Sequence, residues 1–193
     1  MPESTLQAPA DAVEPAARPG RTRLSPFPPK PGVFVLHTEQ TVARPIEEVF
    51  AFFSDAANLQ TITPPWLHFR VLTPQPIEMG VGTMIDYKLR LRVVPLRWRS
   101  EITAWEPPYR FVDEQRRGPY RLWVHEHTFE PCDGGTLVRD IVHYAAPGGG
   151  LINRFLVRPD LQRIFAYRKG ALEDIFGSPS LTLPANERPP SSL

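Results

Sequence analysis

The stretch RLWVHEHTFEPCDGGTLVRDIVHYAA, residues 121–146, decides the fold. Two runs of alternating side chains, Arg121–Glu130 and Thr136–Ala146, flank the turn sequence Cys132-Asp133-Gly134-Gly135. They read as an antiparallel hairpin. Successive strand residues point to opposite faces. In the first run one face carries Trp123, His125, His127 and Phe129; the other carries Leu122, Val124, Glu126, Thr128 and Glu130. The first set holds both large aromatics and no formal charge, so it is assigned inward. A four-residue loop pairs Pro131 with Thr136, which sets His127 opposite Asp140 and His125 opposite Val142. A two-residue loop shifts the partners and keeps the faces, so Asp140, Val142 and Tyr144 point inward either way.

Upstream, Trp66–Thr73, Gly82–Val94, Leu96–Trp105 and Tyr109–Arg117 are also alternating or β-branched. They are separated by Pro74-Gln75-Pro76, Val94-Pro95, Pro107-Pro108 and Gly118-Pro119, all turn chemistry. A three-residue loop over 118–120 pairs Arg117 with Arg121, then Asp113 with His125 and Phe111 with His127. A two-residue loop there turns Asp113 outward. Val33–Val42 opens the domain as a further strand. A helix follows at Pro45: a leading proline, Glu47 and Glu48 in the first turn, and Ile46, Val49, Phe50 and Phe53 on one face. A second short helix is expected at Ala56–Thr61. Leu151–Phe176 reads as a long helix ending at Gly177, with Leu161, Ile164, Phe165, Leu172, Ile175 and Phe176 on its apolar face. Pro159 is expected to kink or split it. The fold class is α+β: a seven-stranded antiparallel sheet with two short helices after strand one and a long C-terminal helix across its concave side.

The chain has 193 residues, 22 Lys+Arg against 21 Asp+Glu, and one cysteine. That balance gives no electrostatic footprint for nucleic acid. The lone Cys132 excludes an internal disulfide framework and a multi-cysteine zinc site. No apolar run is long enough to span a membrane, so integral membrane association is not expected. No secretory signal is evident, and the expected location is the cytoplasm. Eight of the 24 prolines lie in residues 1–31. Residues 1–32 and 178–193 are poor in large apolar side chains and are expected to be disordered tails around one folded domain, 33–177. What protein partner the tails would meet is unknown from the sequence.

Several stretches resemble the START/Bet v 1-like (SRPBCC) superfamily, of the polyketide cyclase/dehydrase and lipid transport type, and within it a bacterial ligand-binding subgroup. They are Arg44–Asp55, Asn58-Leu59, Ile62–Trp66, Trp105–Pro108, Phe111–Gln115 with Gly118-Pro119, and Trp123-x-His125-x-His127-x-Phe129-Glu130. The resemblance covers about 33–177. It implies the helix-grip fold and a deep cavity between sheet and long helix that holds an apolar or amphipathic molecule. Members range from carriers to cyclases, so fold does not settle activity.

The register predicts a polar island in this cavity: Asp113, Gln115, His125, His127, Asp140 and Tyr144. Pairing across strands would satisfy the buried groups and raise both histidine pKa values. The island can be a structural network, a reader of a ligand carbonyl or hydroxyl, or acid–base machinery in which Asp113 or Asp140 orients His125 or His127. A His-x-His pair can also hold a metal with carboxylates. With no cysteine ligand and no third convergent histidine, neither metal nor cofactor is expected. The expected walls are Leu89, Leu91, Trp98, Ile102, Phe111, Trp123, Phe129, Val142 and Tyr144, with Phe155, Ile164 and Phe165 as the helical lid. Gly80-Val81-Gly82 and Gly148-Gly149-Gly150 lack the Lys-Ser/Thr of a phosphate loop. Arg90, Arg92, Arg97, Arg99 and Glu101 read as a solvated convex face with cross-strand ion pairs.

Overall fold

The computed structural model describes residues 31–178. The expected tails lie almost wholly outside them. Among the described residues, seven strands form one antiparallel sheet: β1 Phe34–Val42, β2 Arg70–Val71, β3 Met84–Leu91, β4 Val94–Glu106, β5 Arg110–Arg117, β6 Leu122–Cys132 and β7 Gly135–Ala145. Their spatial order is β1-β7-β6-β5-β4-β3-β2. After β1 the chain makes α1, Ile46–Ser54, and the second short helix expected there, a 3₁₀ helix over Ala56–Gln60. After β7 come α2, Gly149–Ile152, a π turn, Asn153–Val157, and α3, Arg158–Phe176. This is the helix-grip architecture, with α3 on the concave face.

The β6–β7 register is the expected one, with Pro131 opposite Thr136, His127 opposite Asp140 and His125 opposite Val142. The turn is tighter than a four-residue loop, because Cys132 and Gly135 also pair. Gly135 has φ 147°, and a Cβ there would lie 1.9 Å from the Val42 carbonyl oxygen. Only glycine lets β7 start so close to the end of β1. Asp113 faces His125 and Phe111 faces His127, also as expected. The β5–β6 ladder ends at Glu114–Val124, short of the proposed Arg117–Arg121 pair. Gln115 brackets the intervening loop instead, donating to the Tyr120 carbonyl at 2.7 Å and accepting from its N–H at 3.2 Å.

Elsewhere the expectations need correction. Trp66–Thr73 is not a strand: Pro65–Leu67 forms a 3₁₀ turn, and only Arg70–Val71 pairs, with β3. Pro64 and Pro65 fix φ and offer no N–H, which suits a turn and not a ladder. The β3–β4 turn is Arg92-Val93, not Val94-Pro95. Pro95 fits inside β4 because β5 does not reach it, so no ladder bond is lost. The last helix is divided just before Pro159, as expected: a π turn separates α2 from α3, and Pro159 sits in the first turn of α3. The wider π turn redirects the side chains within it, Phe155 among them. Phe155 is consequently 64% exposed and cannot be a lid residue. Ile175, expected on the apolar face, is also exposed, whereas Leu161, Phe165, Leu172 and Phe176 are buried.

Two apolar clusters hold α1 and α3 on the sheet. Ile46, Val49, Phe50 and Phe53 of α1 pack with Phe111, Phe129 and Val138, and Leu172 and Phe176 of α3 join them. Leu161 and Phe165 pack with Val142 and Tyr144 at the other end of α3. Each fully buried side chain of this size contributes about 1.5–3 kcal/mol. On the convex face Arg99 pairs with Asp86 at 2.8 Å and Arg116 with Glu101 at 2.6 Å, as a solvated cross-strand network. Arg92 leaves that stripe and reaches Asp160 of α3 at 2.9 Å.

Candidate functional site

A cavity of about 200 Å³ lies between the sheet and α3. Leu89, Leu91, Trp98, Ile102, Phe111 and Trp123 line it from the sheet, and Ile164 and Phe165 from α3. Asp113, His125 and His127 form its polar patch. The remaining expected wall residues stand elsewhere. Phe129 is covered by α1, with its ring 5.0 Å from that of Phe53. Val142 and Tyr144 are buried under the start of α3. Gln115 is taken by the β5–β6 loop, and Phe155 is outside. Face was assigned correctly for these strand residues; depth along the strand was not. Phe53, Phe69, Tyr87, Tyr120 and Leu161 also line the cavity and were not foreseen.

The polar cluster is tight because three adjacent strands and one helix aim at one point. His125 Nε2 is 3.0 Å from Asp140 Oδ1, and His127 Nε2 is 3.2 Å from Asp113 Oδ2. His127 Nδ1 lies 2.9 Å from Asp140 Oδ1, and His125 Nδ1 lies 3.6 Å from Asp113 Oδ2. The two imidazole centroids are 3.8 Å apart with the rings tilted by 36°, and His127 stacks on Phe111 at 4.1 Å. Behind Asp113 stands a relay: Trp98 Nε1–H donates to Ser100 Oγ at 3.1 Å, and Ser100 Oγ–H donates to Asp113 Oδ1 at 3.2 Å. Behind Asp140 stands Arg168 of α3, whose Nη2 donates to Asp140 Oδ1 at 3.3 Å. Its guanidinium also lies over the Phe53 ring, 5.1 Å from the centroid.

Arg168 is the member that sequence reasoning missed. The signal was there: it falls between Phe165 and Leu172 on the apolar stripe of α3, where a charge has no ordinary place. The electrostatics follow from burial. Burial works to neutralise Asp140, but Arg168 and the two histidines outweigh it and hold that carboxyl well below the usual aspartate range. Burial likewise opposes the charge on Asp113, and His127, His125 and Ser100 bring its pKa down. Both histidines were expected to titrate high. His125 does the opposite: burial first, then the neighbouring His127, push it below the ordinary value. For His127 burial is outweighed by Asp113 and Asp140, and its pKa is raised. Two rings this close hold one positive charge more easily than two.

The cavity and cluster sit inside a family already defined by sequence. The family model for polyketide cyclase / dehydrase and lipid transport matches residues 42–172. No curated protein matches the chain. Solved structures share the fold at low identity. Protein CV1439 from Chromobacterium violaceum superposes with a TM-score of 0.58 at 14% identity, covering 74% of this chain and 96% of its own. Ara h 8.0201 gives 0.58 at 16%, covering 75% and 98%. The ginseng major latex-like protein 151 from Panax ginseng gives 0.57 at 10%, covering 75% and 97%. With a matched span running from the end of β1 into the last turns of α3, the chain belongs to the polyketide cyclase/dehydrase and lipid transport family and carries its Bet v 1-like helix-grip fold.

Proposed function

We propose that this protein binds a hydrophobic or amphipathic small molecule in the cavity between sheet and α3, and that the polar cluster orients one oxygen of that molecule. The carrying observation is a mainly apolar cavity whose wall includes the buried cluster of Asp113, His125, His127 and Arg168. Arg168 lines the cavity, and its Nε has no hydrogen-bond partner among the described residues. The volume, about 200 Å³, favours a compact quinone or polyketide-like ring over a two-tailed lipid. No described helix is long and apolar enough to cross a membrane. A single exposed thiol suits a reducing compartment, and a cytoplasmic location is part of the same proposal. Native mass spectrometry of the purified full chain tests the reading. A co-purifying apolar molecule that carries a carbonyl or hydroxyl supports it. An empty protein that also fails to take up an apolar dye overturns it.

A second reading, an enzyme of the cyclase or dehydratase type, is favoured by one observation. His127 lies within hydrogen-bond distance of two carboxylates and faces the cavity. In that reading His127 moves the proton, Asp113 and Asp140 orient it, and neutral His125 accepts or donates at the substrate. An interaction module that docks through residues 1–32 has no comparable support.

A further inference from the structure

We infer that Asp113, His125 and His127 form a binding site for one divalent first-row transition-metal ion, opening into the cavity. One ligating atom of each of the three lies within 4.8 Å of the other two. The two nitrogens nearest Asp113 Oδ2 are Nε2 of His127 at 3.2 Å and Nδ1 of His125 at 3.6 Å. Donors that share one zinc-sized ion at about 2.1 Å stand roughly 3.0–3.5 Å apart. The set needs only small ring rotations to close on an ion.

The other side of each ring carries the stronger argument. His125 Nε2 and His127 Nδ1 both approach Asp140 Oδ1, at 3.0 and 2.9 Å. A neutral imidazole has one N–H and one lone pair. With its proton turned to Asp140, His125 leaves its Nδ1 lone pair toward Asp113 Oδ2. His127 Nε2 shares a hydrogen with Asp113 Oδ2, which an incoming ion would replace, while Arg168 Nη2 donates to His127 Nδ1 at 3.4 Å. Once that hydrogen is displaced, three electron-pair donors surround one point, an arrangement that suits a cation. A metal-bound histidine almost always gives its second nitrogen to a carboxylate, and Asp140 is in that position for both rings at once. Ser100 fixes the other oxygen of Asp113, and Arg168 fixes Asp140 from the helix side. Two carboxylates against one guanidinium leave a net negative charge when the rings are neutral, which suits a cation and not an anion.

Asp113, His125 and His127 all line the cavity, so the ion's remaining positions face it. Two histidines and a carboxylate with open positions suit zinc, cobalt or ferrous iron. The ligand class this adds is an apolar molecule with a ketone or phenolate oxygen that completes the coordination. The inference goes beyond the ligand-binding reading and stands whether or not an apolar molecule enters.

Chelator-treated full chain, titrated with Co²⁺ and followed by calorimetry and visible absorption, tests it. The expected result is one ion per chain with the strong d–d bands of low coordination number. Asp113→Asn and His125→Gln should each weaken binding by at least about a hundredfold. Asp140→Asn, a positioning change, should weaken it by about 10–100-fold while the bands persist. His37 and His68 are exposed and do not belong to the proposed ligand set, and the double variant His37→Gln/His68→Gln should bind as the wild type does. Because cluster variants can lose stability, the ring-proton NMR signals of wild-type His125 and His127 give a second readout. They should move on adding one equivalent of Zn²⁺. Unmoved signals, no cobalt uptake by folded wild type, or undiminished uptake by folded Asp113→Asn would each overturn the site. Dye binding in the same samples reports on the cavity separately, so loss of metal with dye retained leaves the ligand reading intact.

Discussion

Arg168 of α3 reaches across the cavity wall to Asp140 of β7, Nη2 to Oδ1, at 3.3 Å, with both side chains buried. This is a buried polar fastening between helix and sheet, set amid the apolar stripe of Leu161, Phe165, Leu172 and Phe176. Removing one member of a buried charge pair leaves the other without compensation, at about 3–5 kcal/mol. Arg168→Met should therefore lower the stability measured by urea unfolding by about 3 kcal/mol or more. Arg168→Met with Asp140→Leu should cost less than Arg168→Met alone. A loss below about 1 kcal/mol in the single variant would mean that the histidines alone sustain the carboxylate.

The cavity assignment separates two positions that the sequence treated alike. Ile164 lines the cavity, while Phe155 is in the π turn with its ring in solvent. An environment-sensitive apolar dye is expected to bind with about micromolar affinity, roughly −8 kcal/mol. Ile164→Arg should abolish the fluorescence gain, because a charge would enter the apolar wall. Phe155→Arg should leave it unchanged. Equal loss in both folded variants would place the dye on the helix surface and not in the cavity.

Most of the sheet was legible because a period of two and a glycine turn leave few choices. Alternation placed His125, His127 and Asp140 on one face, and the Pro131–Thr136 pair fixed their register. The β5–β6 register came out right although the loop did not, since Asp113 opposes His125 whether or not Arg117 meets Arg121. What resisted was set by three-dimensional packing. No periodicity reports that α1 roofs Phe129 and the start of α3 roofs Tyr144, so wall residues could not be told from core. The π turn adds a residue to one helical turn, and Phe155 leaves the face it holds in an ideal helix. Arg168 was passed over because an apolar stripe is built by counting apolar residues. The low pKa of His125 reflects burial, which counting partners cannot supply.

Gly135 tests how closely the edge strand must approach. Its added Cβ would meet the Val42 carbonyl at 1.9 Å, at a φ that L-residues rarely adopt. Gly135→Ala should destabilise the domain by more than about 1 kcal/mol. Gly150→Ala, with open space around its Cβ and ordinary φ, should not destabilise it. Comparable melting temperatures for the two variants would show that β1 and β7 separate readily at that end.

The last prediction separates the roles open to the histidines, in chelator-treated protein so that no ion contributes. His127→Gln keeps a polar side chain but can no longer bridge Asp113 and Asp140. If the cluster only fixes the sheet, stability falls by about 1–3 kcal/mol, the usual cost of a disrupted buried hydrogen bond, and dye affinity in the folded variant holds. If the cluster reads the ligand, affinity for an oxygen-bearing apolar probe falls by a similar energy, and a hydrocarbon probe of the same size is unaffected. If it is acid–base machinery, both probes bind and turnover of a candidate substrate falls by about 10²–10⁴. The expected outcome is a combination of the first two. Arg168 already partners Asp140, so the carboxylate survives the substitution, while Asp113 loses its closest histidine at the cavity surface. Turnover that vanishes with both probes still bound would replace the binding reading with the cyclase-type enzyme.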